Sequence, residues 1–353
     1  MFWRTHPLHV RAVVAAGLLL AVSGLTFAGG AWYLARPEVP GGAMLALHVD
    51  PATQEARGAW RDAPHRPGDT AGLDLVLIGR AEEDGEHLAV RLDAFAAEGV
   101  TAADPRDASG DPVGTVVVRA DRRHGATDLD PFGAAEASFR PAGECAPRTL
   151  SLSAVATRYD FAARLTDGSF EVTREVPFFY AEPWGTLSLR ARASPDPGPS
   201  VTDGLTERAG RPMGVAAQWF DEAVTEITAL TRTLVSTRTT VHAYAGGAHP
   251  NTWFTFATFV RDGEAWRDVG LCEALAHLDR ACPETALRRS VHQALLAQKA
   301  AWVVQGEVTA DTPWLLEPFT LTPSGVRFDY APYEVGPYVD GPFSVTVPYS
   351  APR

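Results

Sequence analysis

The sequence predicts an α+β chain in which helices pack on a mainly antiparallel sheet, preceded by a β-rich domain and an apolar N-terminal transmembrane helix. Three observations carry this. An uncharged run occupies residues 12–35, short apolar runs between turn-forming residues fill 45–152, and from about 153 onward strand-like alternation mixes with runs at helical spacing. The 353 residues suffice for two ordinary domains beyond a targeting segment, and a composition 46% hydrophobic and 21% charged marks packed globular material.

The apolar run comes first. Arg4 and Arg11 precede it, Arg36 follows it, and at helical rise it is long enough to cross the roughly 30 Å hydrocarbon core of a bilayer. Trp32 and Tyr33 stand where an interfacial aromatic belt would lie. The positive-inside bias makes residues 1–11 a short cytoplasmic segment, 12–35 the membrane anchor, and everything after about 40 extracytoplasmic, periplasmic or extracellular. Thr26-Phe27-Ala28 also fits a signal-peptide cleavage site, in which case the protein is secreted.

Residues 43–152 read as a β-rich domain, a sandwich or barrel-like sheet. Leu73–Ile78, Leu88–Leu92 and Val116–Ala120 have the apolar content and length of strands, while 101–114 is rich in Asp, Gly and Pro and reads as loop. Residues 153–353 form the α+β module. Arg158–Ala162 and Phe170–Pro177 alternate as a hairpin around Asp167-Gly168, and a Pro/Asp/Gly-rich stretch at 193–204 follows. The spacing of Ala216, Phe220, Ala223, Val224 and Ile227 predicts an amphipathic helix over about 212–230. Strands are expected at 234–244 and 252–260, the second with Trp253, Phe254, Phe256 and Phe259 on both faces, hence central and covered. A helix starting near Pro283 carries Leu287, Val291, Ala294, Leu295 and Trp302. Thr322-Pro-Ser-Gly325 is a β-turn joining Phe319–Leu321 to Val326, Phe328 and Tyr330, whose alternation with Arg327 and Asp329 marks a strand with one buried face.

Cys272 and Cys282, with nine residues between them, can form one local disulfide in an oxidising compartment, leaving Cys145 as a free thiol. No C-x-x-C, H-E-x-x-H, G-x-S-x-G or P-loop pattern occurs, so neither a metal nor a cofactor is expected.

Two segments hold the most specific residues. In Tyr244-Ala-Gly-Gly-Ala-His-Pro-Asn-Thr252, Gly246 and Gly247 permit a tight turn or a close backbone approach. His249, beside Asn251, either presents its imidazole as hydrogen-bond donor, metal ligand or general base, or locks the turn through a neighbouring carbonyl. In Phe319–Tyr349, the stretch Tyr333, Glu334, Pro337, Tyr338 and Gly341 precedes Val345, Val347, Pro348 and Tyr349. Its phenols and carboxylate suit a binding surface, or the tyrosines anchor the last strand. Together these segments resemble the extracytoplasmic domain of unknown function at the C-terminus of RsiV-type anti-sigma factors, which bind lysozyme, and beside the catalytic domain of PdaC-type peptidoglycan deacetylases. That family has a YTGGAH turn before a strand, then a Y-E-x-x-P-Y-x-x-G stretch and a final V-T-V/I-P-Y strand. The eleven residues before the apolar run are too few for a sigma-binding domain, and deacetylase Asp/His motifs do not appear in the sequence.

The resemblance implies a non-catalytic binding module at the cell envelope, with lysozyme or peptidoglycan fragments as partners and Gly246, Gly247, His249, Asn251, Tyr333, Glu334 and Tyr338 as candidate ligand-binding residues. The alternative is an envelope hydrolase using His249 with a nearby carboxylate such as Asp329 or Glu334. The net charge of −12 fits a cationic partner and makes nucleic acid a poor one, because a polyanion is repelled until a local basic patch overcomes the field.

Overall fold

The computed structural model describes residues 20–35, 44–49, 53–62, 73–83, 87–96, 111–122, 132–143, 147–165, 170–179, 187, 219–244 and 248–349. Gly246, Gly247 and Cys145 lie outside the described residues, as do 1–19, the 101–110 part of the loop predicted over 101–114, and the stretch 193–204.

Among the described residues, thirteen strands form one continuous sheet. The first eight are β1 (Leu20–Ala35), β2 (Met44–Val49), β3 (Glu55–Asp62), β4 (Leu73–Glu83), β5 (His87–Ala96), β6 (Gly114–Arg122), β7 (Phe132–Pro141) and β8 (Arg148–Leu165). Each pairs antiparallel with the next, and β1 returns to pair with β8. The ring is therefore a closed barrel without free edges. Ala35 sits at the closure, opposite Met44 of β2 and Ser153 of β8. Strand periodicity fills the interior: Leu88, Val90 and Leu92 of β5 and Val116, Val118 and Ala120 of β6 point inward with Trp60, all buried. The strands expected at 73–78, 88–92 and 116–120 lie within β4, β5 and β6.

The predicted transmembrane helix is not what forms over the described part of residues 12–35. Residues 20–35 are a strand, and among the described residues no helix is long and apolar enough to cross a membrane. The composition accounts for this, since Gly24, Gly29 and Gly30 weaken a helix while Val22, Thr26, Phe27, Trp32 and Tyr33 favour a pleated one. The glycines fall where the β1–β8 register shifts, between Ser23 and Thr26 and between Phe27 and Trp32.

The sheet continues through β9 (Phe170–Phe179), β10 (Trp219–Leu230), β11 (Leu234–Tyr244), β12 (Asn251–Asp262) and β13 (Ala265–Asp268). The predicted hairpin is present as the antiparallel β8–β9 pair, whereas β9 and β10 run parallel. Over Ala156–Arg164, β8 pairs with both β1 and β9, which therefore flank it on opposite edges. The expected domain boundary at 152/153 falls inside β8.

The helix predicted over 212–230 is replaced, in its described part, by β10. Val224, Thr225, Ile227 and Thr228 are β-branched, and one face, Trp219, Ala223, Thr225, Ile227 and Ala229, is buried at period two. Residues at i, i+3, i+4 and i+7 sample both faces of such a strand, which is how the helical spacing arose. The strand predicted at 252–260 is β12, but it is covered only near its end: Thr258, Phe259 and Val260 are buried, whereas Trp253 is exposed.

Beyond β13 come three helices, α1 (Leu271–His277), α2 (Glu284–Ala297) and α3 (Ala301–Val304), and a second antiparallel sheet of β14 (Phe319–Leu321), β15 (Gly325–Tyr330) and β16 (Phe343–Pro348). Pro283 caps α2 rather than opening it, and Trp302 belongs to α3. Leu287, Val291 and Leu295 of α2 pack in one buried cluster with Leu321, Phe328, Tyr330 and Val345. The predicted turn at 322–325 joins β14 to β15, with the Thr322 N–H donating to the Gly325 carbonyl at 2.9 Å. The small sheet docks on the large one where the Leu321 N–H donates to Ser236 Oγ at 2.9 Å.

Candidate functional site

The chain reverses after Tyr244 and re-enters the sheet at Asn251, which is exposed and pairs with Ala243. Half-buried His249 lies on this turn. Its Nδ1 is 2.8 Å from the Pro250 carbonyl oxygen, which can only accept, so Nδ1 carries the proton. In the neutral ring Nε2 is then an acceptor, and the Tyr333 hydroxyl stands 3.3 Å from it in position to donate. The Tyr338 hydroxyl donates to the same Pro250 carbonyl at 2.9 Å. The His249 and Tyr338 rings stack with centroids 3.7 Å apart at 22°, and Tyr333 lies 5.7 Å from Tyr338. Two motifs more than eighty positions apart thus form one aromatic cluster.

The second motif is shaped by local hydrogen bonds. Leaving β15 at Tyr330, the chain turns twice: the Glu334 N–H donates to the Ala331 carbonyl at 3.1 Å, and the Tyr333 N–H to the Gly336 carbonyl at 3.1 Å. Glu334 closes the first turn reciprocally, its Oε2 accepting the Ala331 N–H at 2.7 Å. Burial raises the Glu334 pKa above the ordinary carboxylate range, the Ala331 N–H partly opposing it. Val335 is fully buried and anchors the segment, and the Trp302 N–H donates to its carbonyl at 3.1 Å. Tyr333 pays for this geometry with φ 71°, a left-handed conformation uncommon for a bulky residue, while 53% of it stays exposed. Val339, on the short 3-10 turn Tyr338–Asp340, is 87% exposed beside it.

The carboxylates proposed as partners of His249 are engaged elsewhere. Glu334 holds its turn, and Asp329, although it alternates with buried residues in the sequence, is itself buried in β15. Asp329 Oδ1 lies 3.2 Å from Arg238 and 2.8 Å from Arg327, and accepts from the Ser344 hydroxyl. Arg238 also pairs with Glu226 at 2.9 Å, and Arg61 of the barrel approaches Glu226 at 3.9 Å while donating to the Ile227 carbonyl at 3.2 Å. Burial pushes the Glu226 carboxyl up, yet Arg238, Arg61 and Arg327 outweigh it and bring its pKa down to about 2. Burial likewise opposes ionisation of Asp329, and Arg238 and Arg327 hold it below the ordinary range. This network joins β3, β10, β11 and β15. Sequence reasoning missed Arg238 and Glu226; their signal was an opposed pair of charges inside two β-branched strands, Arg238 facing Glu226 in register.

Cys272 and Cys282 form the expected disulfide. With Glu284 they are the one group of three metal-ligating residue types in close array among the described residues, and the bridge withholds both thiolates. His242 is exposed on β11, its ring 5.2 Å from Phe220, and belongs to no such group.

Residues 284–350 match a family model described as a protein of unknown function, DUF3298, a span that contains the whole Phe319–Tyr349 segment and stops short of the Tyr244–Thr252 turn. Among solved structures, a DUF3298 family member from Bacteroides fragilis is 16% identical, with 55% of this chain and 89% of that one covered at a TM-score of 0.34. A DUF3298 family protein from Pseudomonas aeruginosa is 17% identical over the same shares, at a TM-score of 0.31. No curated protein matches the chain.

Proposed function

We propose that this chain, which carries a DUF3298 module over residues 284–350, is a non-catalytic recognition protein of the cell envelope whose binding face is the His249–Tyr333–Tyr338 cluster. The observation that carries the reading is the exposed Tyr333, held at positive φ against His249 at the meeting of the two motifs. Backbone strain of this kind persists where the surroundings enforce it, often at binding sites. A rigid aromatic group with a polar tip gives contact area at small entropic cost. Glu334 and Asp329 are committed to a turn and to arginines, so the two carboxylates named for the hydrolase alternative are not placed to act with His249. The disulfide supports an extracytoplasmic location.

The partner favoured by the resemblance and by the charge of −12 is a cationic envelope protein such as a lysozyme, with peptidoglycan fragments second. Binding kinetics of the full chain against lysozyme at two salt concentrations test this. Association is expected to be fast at low salt and to slow as screening increases, and His249→Ala and Tyr333→Ala are expected to weaken binding tenfold or more while leaving the fold intact. No binding at low salt removes lysozyme, and failure of purified peptidoglycan fragments as well removes the recognition reading.

A further inference from the structure

A second feature lies on the opposite functional logic, a basic cleft on an acidic protein. Four barrel strands, β5 to β8, present their outer face as a concavity of about 440 Å³. Inward positions of these strands are apolar, so period two puts their polar residues together outside. Arg91, Arg119 and Arg140 line the cleft, with Glu136 as its one acidic residue. Val117 faces Arg91 and Thr115 faces Arg140 in register, and Arg119 lies two residues beyond Val117 on the side away from Thr115, so the three arginines on β5, β6 and β7 form a triangle. Strand spacing and rise then separate the Arg91 backbone from those of Arg119 and Arg140 by roughly 8 and 12 Å, and Arg119 from Arg140 by roughly 14 Å. Beside them in the cleft lie the hydroxyls of Thr115, Ser138 and Thr149, the Thr149 hydroxyl donating to Ser138 Oγ at 3.3 Å. Glu136 stands opposite Arg119 and can balance that charge alone. Arg91 and Arg140 form no ion pair among the described residues.

We propose that this cleft binds a phosphate-bearing, hydroxyl-rich ligand, with the guanidinium forks taking phosphate oxygens and the hydroxyls hydrogen-bonding the remainder. The chemistry follows from three observations. Arginine presents a planar fork of donors matched to phosphate. Two arginines with no ion pair among the described residues fit a phosphomonoester or two phosphodiesters better than one carboxylate. Within a molecule of net charge −12, a local cationic surface is also what an anion needs before it can approach. A free phosphate compound and a phosphodiester polymer share this chemistry.

Calorimetric titration of the full chain with inorganic pyrophosphate at low salt tests the proposal. Binding is expected that weakens with added salt. Arg91→Gln and Arg140→Gln should each reduce affinity roughly tenfold, in line with loss of a charged hydrogen-bond pair. Glu136→Gln should tighten it severalfold, a gain that unfolding cannot mimic. Absence of pyrophosphate binding to the unaltered chain, or equal affinity in the Arg91→Gln/Arg140→Gln double variant, overturns the proposal. A linear polyphosphate titrated in parallel separates the two sources: tighter binding per phosphate than pyrophosphate identifies a polymer that spans the arginine triangle, and equal binding identifies a small phosphate compound.

Discussion

Tyr333 concentrates the residue-scale argument. A bulky side chain at φ 71° costs on the order of 1–2 kcal/mol relative to a residue free to adopt that conformation. With half its surface in water, its packing returns little of that. Tyr333→Gly is therefore expected to raise unfolding stability by about 1 kcal/mol in denaturant titration while weakening partner binding. A variant less stable than the parent would show that the ring is a structural anchor and that its exposure has no binding role. Tyr338 differs: its ring covers the His249 imidazole at 3.7 Å and its hydroxyl is spent on Pro250, so it holds the histidine in place.

At the scale of elements, the legible parts of the chain were those whose pattern admitted one reading. Apolar content and length gave β4, β5 and β6 in place, alternation gave β15, and α2 was visible because Leu287, Val291 and Leu295 recur at helical spacing with no competing β-branched run. β10 was misread because Phe220, Ala223, Val224 and Ile227 satisfy a helical template as well as a strand, and only the Val-Thr-Ile-Thr content decides between them. The convergence of the Tyr244–Thr252 and Phe319–Tyr349 motifs was legible only as shared family signature; their contact depends on β12 and β15 lying in different sheets, which no local pattern encodes. β1 was hidden for another reason, since an uncharged run long enough to span a bilayer is also long enough to close a barrel. The two states exclude each other, because pairing with β8 needs the backbone donors that a helix would consume. Carbonate extraction of membranes is expected to release the protein, with N-terminal sequencing reading where the released chain begins. Retention in the pellet would mean that residues 20–35 leave the sheet. A form starting at Gly29 would keep Ala31–Ala35, the residues that pair with β2 at the closure.

For the whole molecule, the decisive coupling is ionic. The barrel touches the later strands of its own sheet, β10 and β12, through Arg61, through the Tyr33 hydroxyl on the Thr225 carbonyl at 3.4 Å, and through a buried cluster in which Tyr33, Ala35 and Met44 meet Ile227, Leu230 and Phe259. Glu226 and Asp329 continue that contact through Arg238 into the C-terminal sheet. Both carboxyls have folded pKa values below their unfolded ones, so the unfolded chain takes up more protons as the pH falls. Their stabilisation is complete above the ordinary carboxylate pKa and is lost as the pH drops through the folded values, which for Glu226 means from about 4.5 towards about 2. Glu334 acts in the opposite sense, since its raised pKa favours the fold below its unfolded value and loses that contribution as the pH rises through the folded one. The side chain of Glu226 is 38% exposed, so solvent screens its pairs and the effect is smaller than for a fully enclosed charge. The melting temperature is expected to hold from pH 7 to about 5 and to decline below 4.5, in one cooperative transition, because the barrel and the C-terminal sheet share this network. Glu226→Gln should lower stability at neutral pH, where Arg61 and Arg238 lose their common partner, and should flatten part of the decline in acid. A Glu226→Gln protein with the parent's full acid slope would place the proton uptake outside the network, and two resolved transitions in the parent would show that the ion pairs do not couple the barrel to the sheet beyond it.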